Sequence, residues 1–544
     1  MTAAAIFLPG LGTLTLVDRD EPRFAEAARL MLASGDYFIP RFNDEVRYDK
    51  PPLTYWLMTL GYRAFGVNEL GARAASAAAG IASCVALFFI ARLMFGTRAG
   101  LIAGLILATT AQFYPVSRGA TADAVLALAM LLMILGLWRA LNGRRGLWSW
   151  LLLYGGLAAG SLTKGPVPVA VLVAMLAVRA FLLSGWAGAT LRSRLGAWWS
   201  AFRSSMRSVG LLPGVGAAAV VVLAWFVPAA LATEGGFLRV GFFGHVVSRA
   251  FVRSYEHHSG VFGVFYLLIL PLGFFPWIAV APESVRWLWK AANTERRAFL
   301  LAWTIAPYLV FSFLRTMLPH YILPAYPALA IICGASIDAA ITDGRSFWKS
   351  ALGKAGLIVS CIAGAGIAAG LVAVVFLADL PELLWPNAVL AGALLAMLTA
   401  SIALFIRRRN AAASGTVAAM MAVLLGGLST AVAPRVEGMY TMKDLALEAA
   451  QLVKADTPVV AFRVRESSLV FYLRRPVIMT TSEDCLQSLD GAFCIVAAKD
   501  EQTLERLGAR KIRERRCLNL EKLRWEQRSF WVIEKAATPS AGGG

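Results

Sequence analysis

Long apolar runs recur along this 544-residue chain, and they constrain its fold more than any other feature. Residues 120–137 and 357–377 are two examples, and each is close to the ~20 residues that a helix needs to cross a bilayer. Because 58% of all residues are hydrophobic, a soluble globule is excluded. We therefore predict an all-α polytopic membrane protein that carries a small C-terminal α/β domain.

The hydropathy pattern predicts thirteen spans. The first starts at Met1 without a basic flank, so we expect the natural N-terminus to lie upstream. The predicted spans cover residues 1–16, 70–95, 99–116, 122–140, 148–163, 165–184, 209–232, 260–281, 298–316, 319–340, 353–378, 387–406 and 414–433.

The charge distribution predicts the orientation of these spans. The chain has 52 Lys and Arg against 33 Asp and Glu, a net charge of +19 that could suggest a nucleic-acid partner. The basic residues instead fall in alternate loops, which is typical of cytoplasmic loops in membrane proteins. We therefore expect no nucleic acid, and we assign the first loop, 17–69, and the C-terminal tail to the outer face.

The tail differs in composition from the rest of the chain. Residues 459–464, 476–480, 492–498 and 529–534 read as strands, whereas 443–454 and 501–509 have helical apolar spacing. We predict a transmembrane domain over 1–433 and an exofacial α/β domain over 434–544 with a disordered end. Cys485, Cys494 and Cys517 would allow one disulfide there, with the pairing left open.

The first exofacial loop concentrates charges between apolar segments. Asp20 and Glu21 precede Pro22 and an amphipathic stretch, which predicts a short helix along the membrane surface. One acid could simply cap this helix, although a cap needs only one. Lys50 precedes two prolines and could equally snorkel to the lipid headgroups.

Further charges recur at the outer ends of other spans. Arg118 and Asp123 flank the fourth span, Lys164 follows the fifth, and His320 and Tyr321 begin the tenth. A basic and acidic cluster that includes Arg253 and Glu256 precedes the eighth. Their convergence on the side that is otherwise poor in basic residues favours an anionic ligand such as a lipid phosphate.

These motifs carry a family resemblance. The stretch 18–56, SRGATADAV at 117–125, LTKGP at 162–166 and LPHYILPAYPALA at 318–330 resemble the bacterial branch of the protein-mannosyltransferase superfamily, specifically the aminoarabinose:lipid A transferases and their relatives. The resemblance implies a GT-C fold at a bacterial inner membrane. It also implies inverting transfer of a sugar, 4-amino-4-deoxy-L-arabinose first among the candidates, from undecaprenyl phosphate to lipid A at the periplasmic face.

The resemblance also implies roles for individual residues. Asp20 and Asp123 correspond to catalytic acids, and Lys50, Arg23, Arg253 and Lys164 to ligands of the donor phosphate. The remaining candidates are substrate-binding residues: Glu21, Tyr48, Asp49, Arg118, Glu256, His320 and Tyr321.

Alternatives remain at this stage. The same family also transfers other polyprenyl-linked sugars to protein or glycan acceptors. A transporter of lipid-linked sugars would show charges inside its spans and inverted repeats, whereas the charges here lie at one face. The sequence has no metal-ligand spacing and implies no certain cofactor, although exofacial carboxylates could hold a divalent cation. The expected partners are the donor lipid, lipid A or another exofacial acceptor, and the bilayer.

Overall fold

The computed structural model describes residues 2–184, 190–248, 264–312, 314, 317–489 and 491–533, and it confirms a mostly helical chain with a small C-terminal sheet. Within these residues, seven helices are long and apolar enough to cross a membrane, and each overlaps a predicted span. They are Glu69–Phe95, Asp123–Leu141, Leu211–Ala232, Pro319–Asp343, Ala351–Leu377, Pro381–Ile406 and Asn410–Glu437. The chain is therefore a multi-pass membrane protein.

The helices of the N-terminal half bring the charged loops toward one another. In chain order they are α1 (Thr2–Phe7), α2 (Asp20–Ser34), α3 (Leu53–Phe65), α4 (Glu69–Phe95), α5 (Thr97–Ala108), α6 (Phe113–Arg118), α7 (Asp123–Leu141), α8 (Leu147–Trp150), α9 (Gly156–Lys164), α10 (Val167–Leu183), α11 (Leu191–Ser208) and α12 (Leu211–Ala232). A π-helical turn, Leu151–Gly155, joins α8 to α9, and another π-helical segment covers Phe237–Ser248.

The second half of the chain is also mainly helical. Its helices are α13 (Val264–Gly273), α14 (Ala281–Ala291), α15 (Thr294–Ser312), α16 (Tyr326–Asp343), α17 (Ala351–Leu377), α18 (Leu384–Ile406), α19 (Asn410–Gly427), α20 (Ala433–Glu437), α21 (Met442–Leu452), α22 (Ser468–Leu473), α23 (Glu483–Gln487) and α24 (Glu501–Arg506). Short 3₁₀ segments, Trp277–Ala279, Pro319–Ala325, Pro381–Leu383 and Ala498–Asp500, link them, and a π-helical turn, Leu428–Val432, joins α19 to α20.

The prediction of a span over 1–16 is wrong for the segment as it stands. Helix α1 ends at Phe7, and turns follow it. Six helical residues rise about 9 Å, well short of the ~30 Å hydrocarbon core. Gly10 and Pro9 explain the break, since Gly10 has a φ of +62° and a Cβ there would meet the carbonyl of Ser429 at 2.6 Å.

Two other predicted spans contain shorter helices. Helix α5 has 12 residues and α13 has 10, which rise about 18 Å and 15 Å. Turn residues separate α5 from α6, and helix α13 contains Pro271 near its end. The number of spans, thirteen, stays a prediction.

The C-terminal sheet has five strands in the order β4-β3-β5-β7-β6. The strands are β3 (Val459–Phe462), β4 (Ile478–Thr480), β5 (Phe493–Ala497), β6 (Arg510–Asn519) and β7 (Arg524–Val532), while β1 (Arg41–Phe42) and β2 (Glu45–Val46) form a separate hairpin in the first loop. Strands β3, β4 and β5 are parallel, and β6 and β7 complete the sheet in antiparallel fashion. The three cysteines of this region are free thiols, so the disulfide that the sequence allowed is not formed.

Among the described residues, the two largest apolar cores organise the molecule. One extends through the spans, and it includes Phe113, Leu137, Trp303 and Tyr326. The other joins α2 and α3 of the first loop to the sheet, through residues such as Phe24, Tyr55, Leu469 and Phe530. The charged first loop is therefore held between the membrane region and the C-terminal sheet.

Candidate functional site

Close packing of α7 against α9 brings two predicted site residues together. A Cβ on Gly136 would lie 2.3 Å from the backbone nitrogen of Leu153, and one on Gly156 would lie 2.6 Å from the carbonyl oxygen of Ala129. The two segments therefore run antiparallel in near-backbone contact. As a result, Asp123, the first residue of α7, lies beside Lys164, the last residue of α9.

Asp123 is the centre of this arrangement. Its Oδ1 accepts a hydrogen bond from Lys164 Nζ at 2.5 Å, and His320 Nε2 lies 3.8 Å from its Oδ2. The Nζ of Lys164 also lies 4.9 Å from the centre of the Tyr321 ring. We call Asp123, Lys164, His320 and Tyr321 the Asp123 cluster. Its charged side chains are 15–29% exposed.

The first loop adds charges to the rim of this cluster. Asp20 is exposed at the start of α2, and it interacts electrostatically with Lys164 and His320. Lys50 interacts in the same way with Asp123 and His320, and its Nζ donates a hydrogen bond to the Asp49 carbonyl at 3.2 Å. The structure thus brings Asp20 and Lys50 into the neighbourhood of the Asp123 cluster.

A buried arginine holds the loop between Asp20 and Lys50. Arg47 donates from Nε to the Tyr55 hydroxyl at 2.9 Å, stacks over Phe24 and lies 3.7 Å from Asp49. Burial alone would lower the pKa of Arg47, but Tyr55 and Asp49 outweigh it and raise this pKa. Arg47 therefore stays charged and fixes α2 relative to the segment that carries Lys50.

Asp49 and Tyr48 contact the segment that follows α12. His245 Nε2 lies 3.0 Å from Asp49 Oδ1, and the Tyr48 ring packs edge-on against Phe237 with the ring centres 5.0 Å apart. The sequence did not single out His245, because it lies in an apolar run without a recognisable motif. Arg253 and Glu256 lie outside the described residues.

The structure argues against a direct substrate role for Glu21. Its carboxylate is buried and binds Arg73 in a bidentate pair with N–O distances of 2.9 and 2.7 Å. The same oxygens accept hydrogen bonds from the backbone nitrogens of Ala120 at 2.7 Å and Val17 at 2.8 Å. Burial would raise the pKa of Glu21, but these partners lower it. Because Glu21 accepts the hydrogen bond from the backbone nitrogen of Ala120, it fixes the turn before Asp123.

Arg23 and Arg118 are also turned away from the Asp123 cluster. Arg23 Nε donates to Ser467 Oγ at 2.9 Å, and Arg118 donates to the carbonyls of Phe7 and Pro9, both at 2.7 Å. Each arginine thus ties two chain segments together in this structure, instead of facing the cluster. Sequence spacing could not reveal these partners, because they are far away along the chain.

We expect Arg73→Met to destabilise the protein strongly, because it leaves the buried Glu21 carboxylate without its cation. Breaking a buried ion pair costs about 3–5 kcal/mol. The free energy of unfolding in detergent would measure this loss, and Glu21→Gln combined with Arg73→Met should recover part of it. Arg92→Met, at an exposed position of the same helix, should change it by less than about 0.5 kcal/mol. An equal loss in both single variants would contradict the ion-pair argument.

Helix α22, which packs beside the C-terminal sheet, contacts the first loop next to Asp20. Asp18 accepts hydrogen bonds from the backbone nitrogen of Ser468 at 2.8 Å and from its hydroxyl at 2.5 Å. Tyr472 accepts a hydrogen bond from Thr15 at 2.7 Å and donates one to Glu69 at 3.0 Å. Burial, which outweighs the Ser468 hydrogen bonds, raises the pKa of Asp18 to about 6.

This raised pKa predicts a pH dependence of stability. The folded protein binds the Asp18 proton more tightly than the unfolded chain does, so protonation of Asp18 stabilises the folded state. This stabilisation is complete below about pH 4 and is lost as the pH rises through 6. Asp18→Asn mimics the protonated acid and does not titrate. We expect its Tm to exceed that of the wild type by a few degrees at pH 7 and to match it at pH 4. A constant difference across this range would refute the assignment.

The described residues contain no group of three or more His, Cys, Asp or Glu side chains that could hold a metal ion. The Asp123 cluster itself combines basic and acidic side chains. Cations stand where an anionic group could bind, and Asp20 offers a carboxylate at the same surface. Such an arrangement can stabilise a leaving phosphate and orient an acceptor.

Comparison with known proteins gives a consistent result. The family model for dolichyl-phosphate-mannose-protein mannosyltransferase matches residues 49–202. An undecaprenyl phosphate-alpha-4-amino-4-deoxy-L-arabinose arabinosyl transferase of Edwardsiella ictaluri is 31% identical over 59% of this chain and 55% of its own length. A protein of the same name from Pseudomonas aeruginosa is 30% identical over 64% of this chain and 60% of its own length. The chain thus spans less than two thirds of these relatives.

The fold matches over a greater length. The crystal structure of ArnT from Cupriavidus metallidurans bound to undecaprenyl phosphate has a TM-score of 0.76 and 23% identity, and the match covers 100% of this chain and 98% of that one. This likeness shows the fold. The resemblance that the motifs carried is confirmed: the chain is similar to the arabinosyl transferases over 59–64% of its length, matches the mannosyltransferase family model over residues 49–202, and has the fold of ArnT.

Proposed function

We propose that this chain is an inverting glycosyltransferase that moves 4-amino-4-deoxy-L-arabinose from undecaprenyl phosphate to lipid A. The observation that carries this proposal is the gathering of Lys164, His320 and Lys50 around Asp123, with Asp20 beside them. The names of the sequence relatives support the sugar and the donor lipid, and the fold of the undecaprenyl phosphate-bound ArnT is consistent with them.

The cations would act on the leaving group. Attack at the anomeric carbon expels a polyprenyl phosphate, so negative charge develops on the phosphate oxygen during the reaction. Lys50 and Lys164 lie in the neighbourhood of Asp123, where they could stabilise this charge. Asp123 would keep Lys164 in position, and Tyr321 would support the ammonium group from its other side.

Asp20 would act on the acceptor or the sugar. If the acceptor is a hydroxyl group, the exposed Asp20 carboxylate can accept its proton as a general base. If the acceptor is a phosphate of lipid A, no proton needs to be removed. Asp20 would then orient the acceptor, or interact with the amine or the developing positive charge of the sugar.

The same proposal includes an orientation in the bacterial inner membrane. The Asp123 cluster, the loop 17–69 and the C-terminal domain, 434–544, would face the periplasm, and the basic loops would face the cytoplasm. The transmembrane domain would cover 1–433. Ser468 donates a hydrogen bond to Asp18, and the Tyr472 hydroxyl accepts one from the backbone nitrogen of Leu16 just before the first loop, which supports a role of the C-terminal domain in holding that loop in position.

A related transferase for another sugar or acceptor is the second candidate. The segment aligned with the named relatives covers only 55–60% of their length, so it supports the class of donor more firmly than the sugar. Pocket shape decides which sugar is accepted.

Mass spectrometry of lipid A tests the proposal. Cells that lack this gene would be compared with the same cells complemented by the wild-type gene, with expression verified. An added aminopentose mass that depends on the gene would support aminoarabinose transfer. Unchanged lipid A in expressing cells would reject lipid A as the acceptor and favour the second candidate.

A further inference from the structure

Helix α11 (Leu191–Ser208) presents an unusual surface on the side of the membrane opposite the Asp123 cluster. Helix α7 begins at Asp123, and its 19 residues rise about 28 Å before the chain reaches Arg145. Arg145 lies against α11, where it lines a cavity of about 510 Å³. The cavity is therefore separated from the Asp123 cluster by about the thickness of the hydrocarbon core.

One face of α11 is anchored to the protein. Trp198 Nε1 donates to the Ala177 carbonyl at 3.0 Å, and Arg179 donates to Ser205 Oγ at 2.9 Å. Phe202 is buried on the same side and stacks against Trp198. Because these contacts fix the helix against α10, its remaining side chains are presented at a defined height in the membrane.

The other face combines an apolar edge with a row of arginines. Leu191, Leu195 and Trp199 are 69%, 56% and 46% exposed, which is costly in water but favourable against lipid chains. Arg203 and Arg207 follow on the adjacent polar side, and Arg203 lies over the Trp199 ring at 5.6 Å. The sequence of α11 has four arginines and no acidic residue.

The cavity lies along this row of arginines. It is lined by Arg145, Arg203, Arg207, Trp199 and the hydroxyl-bearing Ser200, Ser204 and Ser208, together with Gly196. Its volume is within the ~300–1,000 Å³ of typical small-ligand sites. Three cations and three hydroxyl groups beside an apolar edge match the phosphate, glycerol and acyl chains of an acidic phospholipid.

We infer that Arg145, Arg203 and Arg207 form a binding site for the headgroup of an anionic phospholipid, with Trp199 and Leu195 in contact with its acyl chains. A free phosphate ion would satisfy the arginines but would leave the apolar edge uncovered. This site lies on the opposite membrane surface from the proposed transfer reaction, and it does not depend on that reaction.

Native mass spectrometry of the purified full chain in detergent tests the inference. Phosphatidylglycerol, phosphatidylcholine or inorganic phosphate would be added in turn. We expect retention of phosphatidylglycerol over phosphatidylcholine, and at least about tenfold weaker phosphatidylglycerol binding in R203Q/R207Q, because hydrogen bonds between charged groups are lost. R203K/R207K should recover part of the affinity.

A matched control carries the same change in charge. R144Q/R192Q removes two exposed arginines from the same surface that do not line the cavity, and it should bind phosphatidylglycerol as the wild type does. Equal losses of phosphatidylglycerol binding in both double variants would mean that diffuse surface charge attracts the lipid, and this would overturn the proposed site. Competition by millimolar inorganic phosphate, or equal retention of the two lipids, would also overturn it. Unchanged circular dichroism and Tm would show that the variants are folded.

Discussion

Asp20→Asn is expected to reduce sugar transfer by about 100- to 10,000-fold while leaving the protein folded. The side chain is exposed at the start of α2, so its replacement removes no buried contact, and the free energy of unfolding should change by less than about 0.5 kcal/mol. The lost carboxylate interacts electrostatically with Lys164 and His320 of the Asp123 cluster. Transfer by purified protein from a polyprenyl-phosphate sugar to lipid A would measure kcat.

The control is Glu45→Gln, which neutralises an exposed acid in the same loop and should keep full activity. Full activity of Asp20→Asn would remove Asp20 from the mechanism.

The sequence predicted those parts of the fold that rest on local patterns. The apolar periodicity of 24–31 gives the buried face of α2, where Phe24, Ala28 and Met31 pack against α3 and the sheet. The four strands with apolar runs were predicted, whereas β6 was missed. Residues 510–516 of β6 are exposed on both faces, so an edge strand of this composition has no alternation to recognise.

The partners of buried charges could not be predicted in the same way. Glu21 and Asp20 are neighbours in sequence and look equivalent, yet one is buried against Arg73 and the other is exposed. In the sequence, the one sign that a nearby acid is buried in an ion pair was Arg73 itself, because an arginine inside an apolar span is costly unless it is paired. Three-dimensional contacts, such as Arg23 with Ser467, then decide which charges remain for the ligand.

Replacing Lys50 should lower the rate of sugar transfer nearly as much as replacing Asp20. We expect Lys50→Met to lower kcat by roughly 100- to 1,000-fold, since removing one group that stabilises developing negative charge costs about 3–4 kcal/mol. The Lys50 charge acts on Asp123 and His320, so it belongs to the same electrostatic environment as Lys164. Single-turnover kinetics with saturating donor would measure the chemical step.

Two further variants make this result specific. Lys50→Arg retains the charge and should keep a substantial part of kcat, although its planar group fits the site differently. Arg41→Gln removes an exposed positive charge from the same loop and should leave kcat unchanged. If Lys50→Met instead raised the KM for the donor with kcat unchanged, Lys50 would hold the donor phosphate equally in the ground and transition states. Lys164, which Asp123 and Tyr321 keep in position at the end of α9, would then be the next candidate among the described residues for stabilising the leaving group.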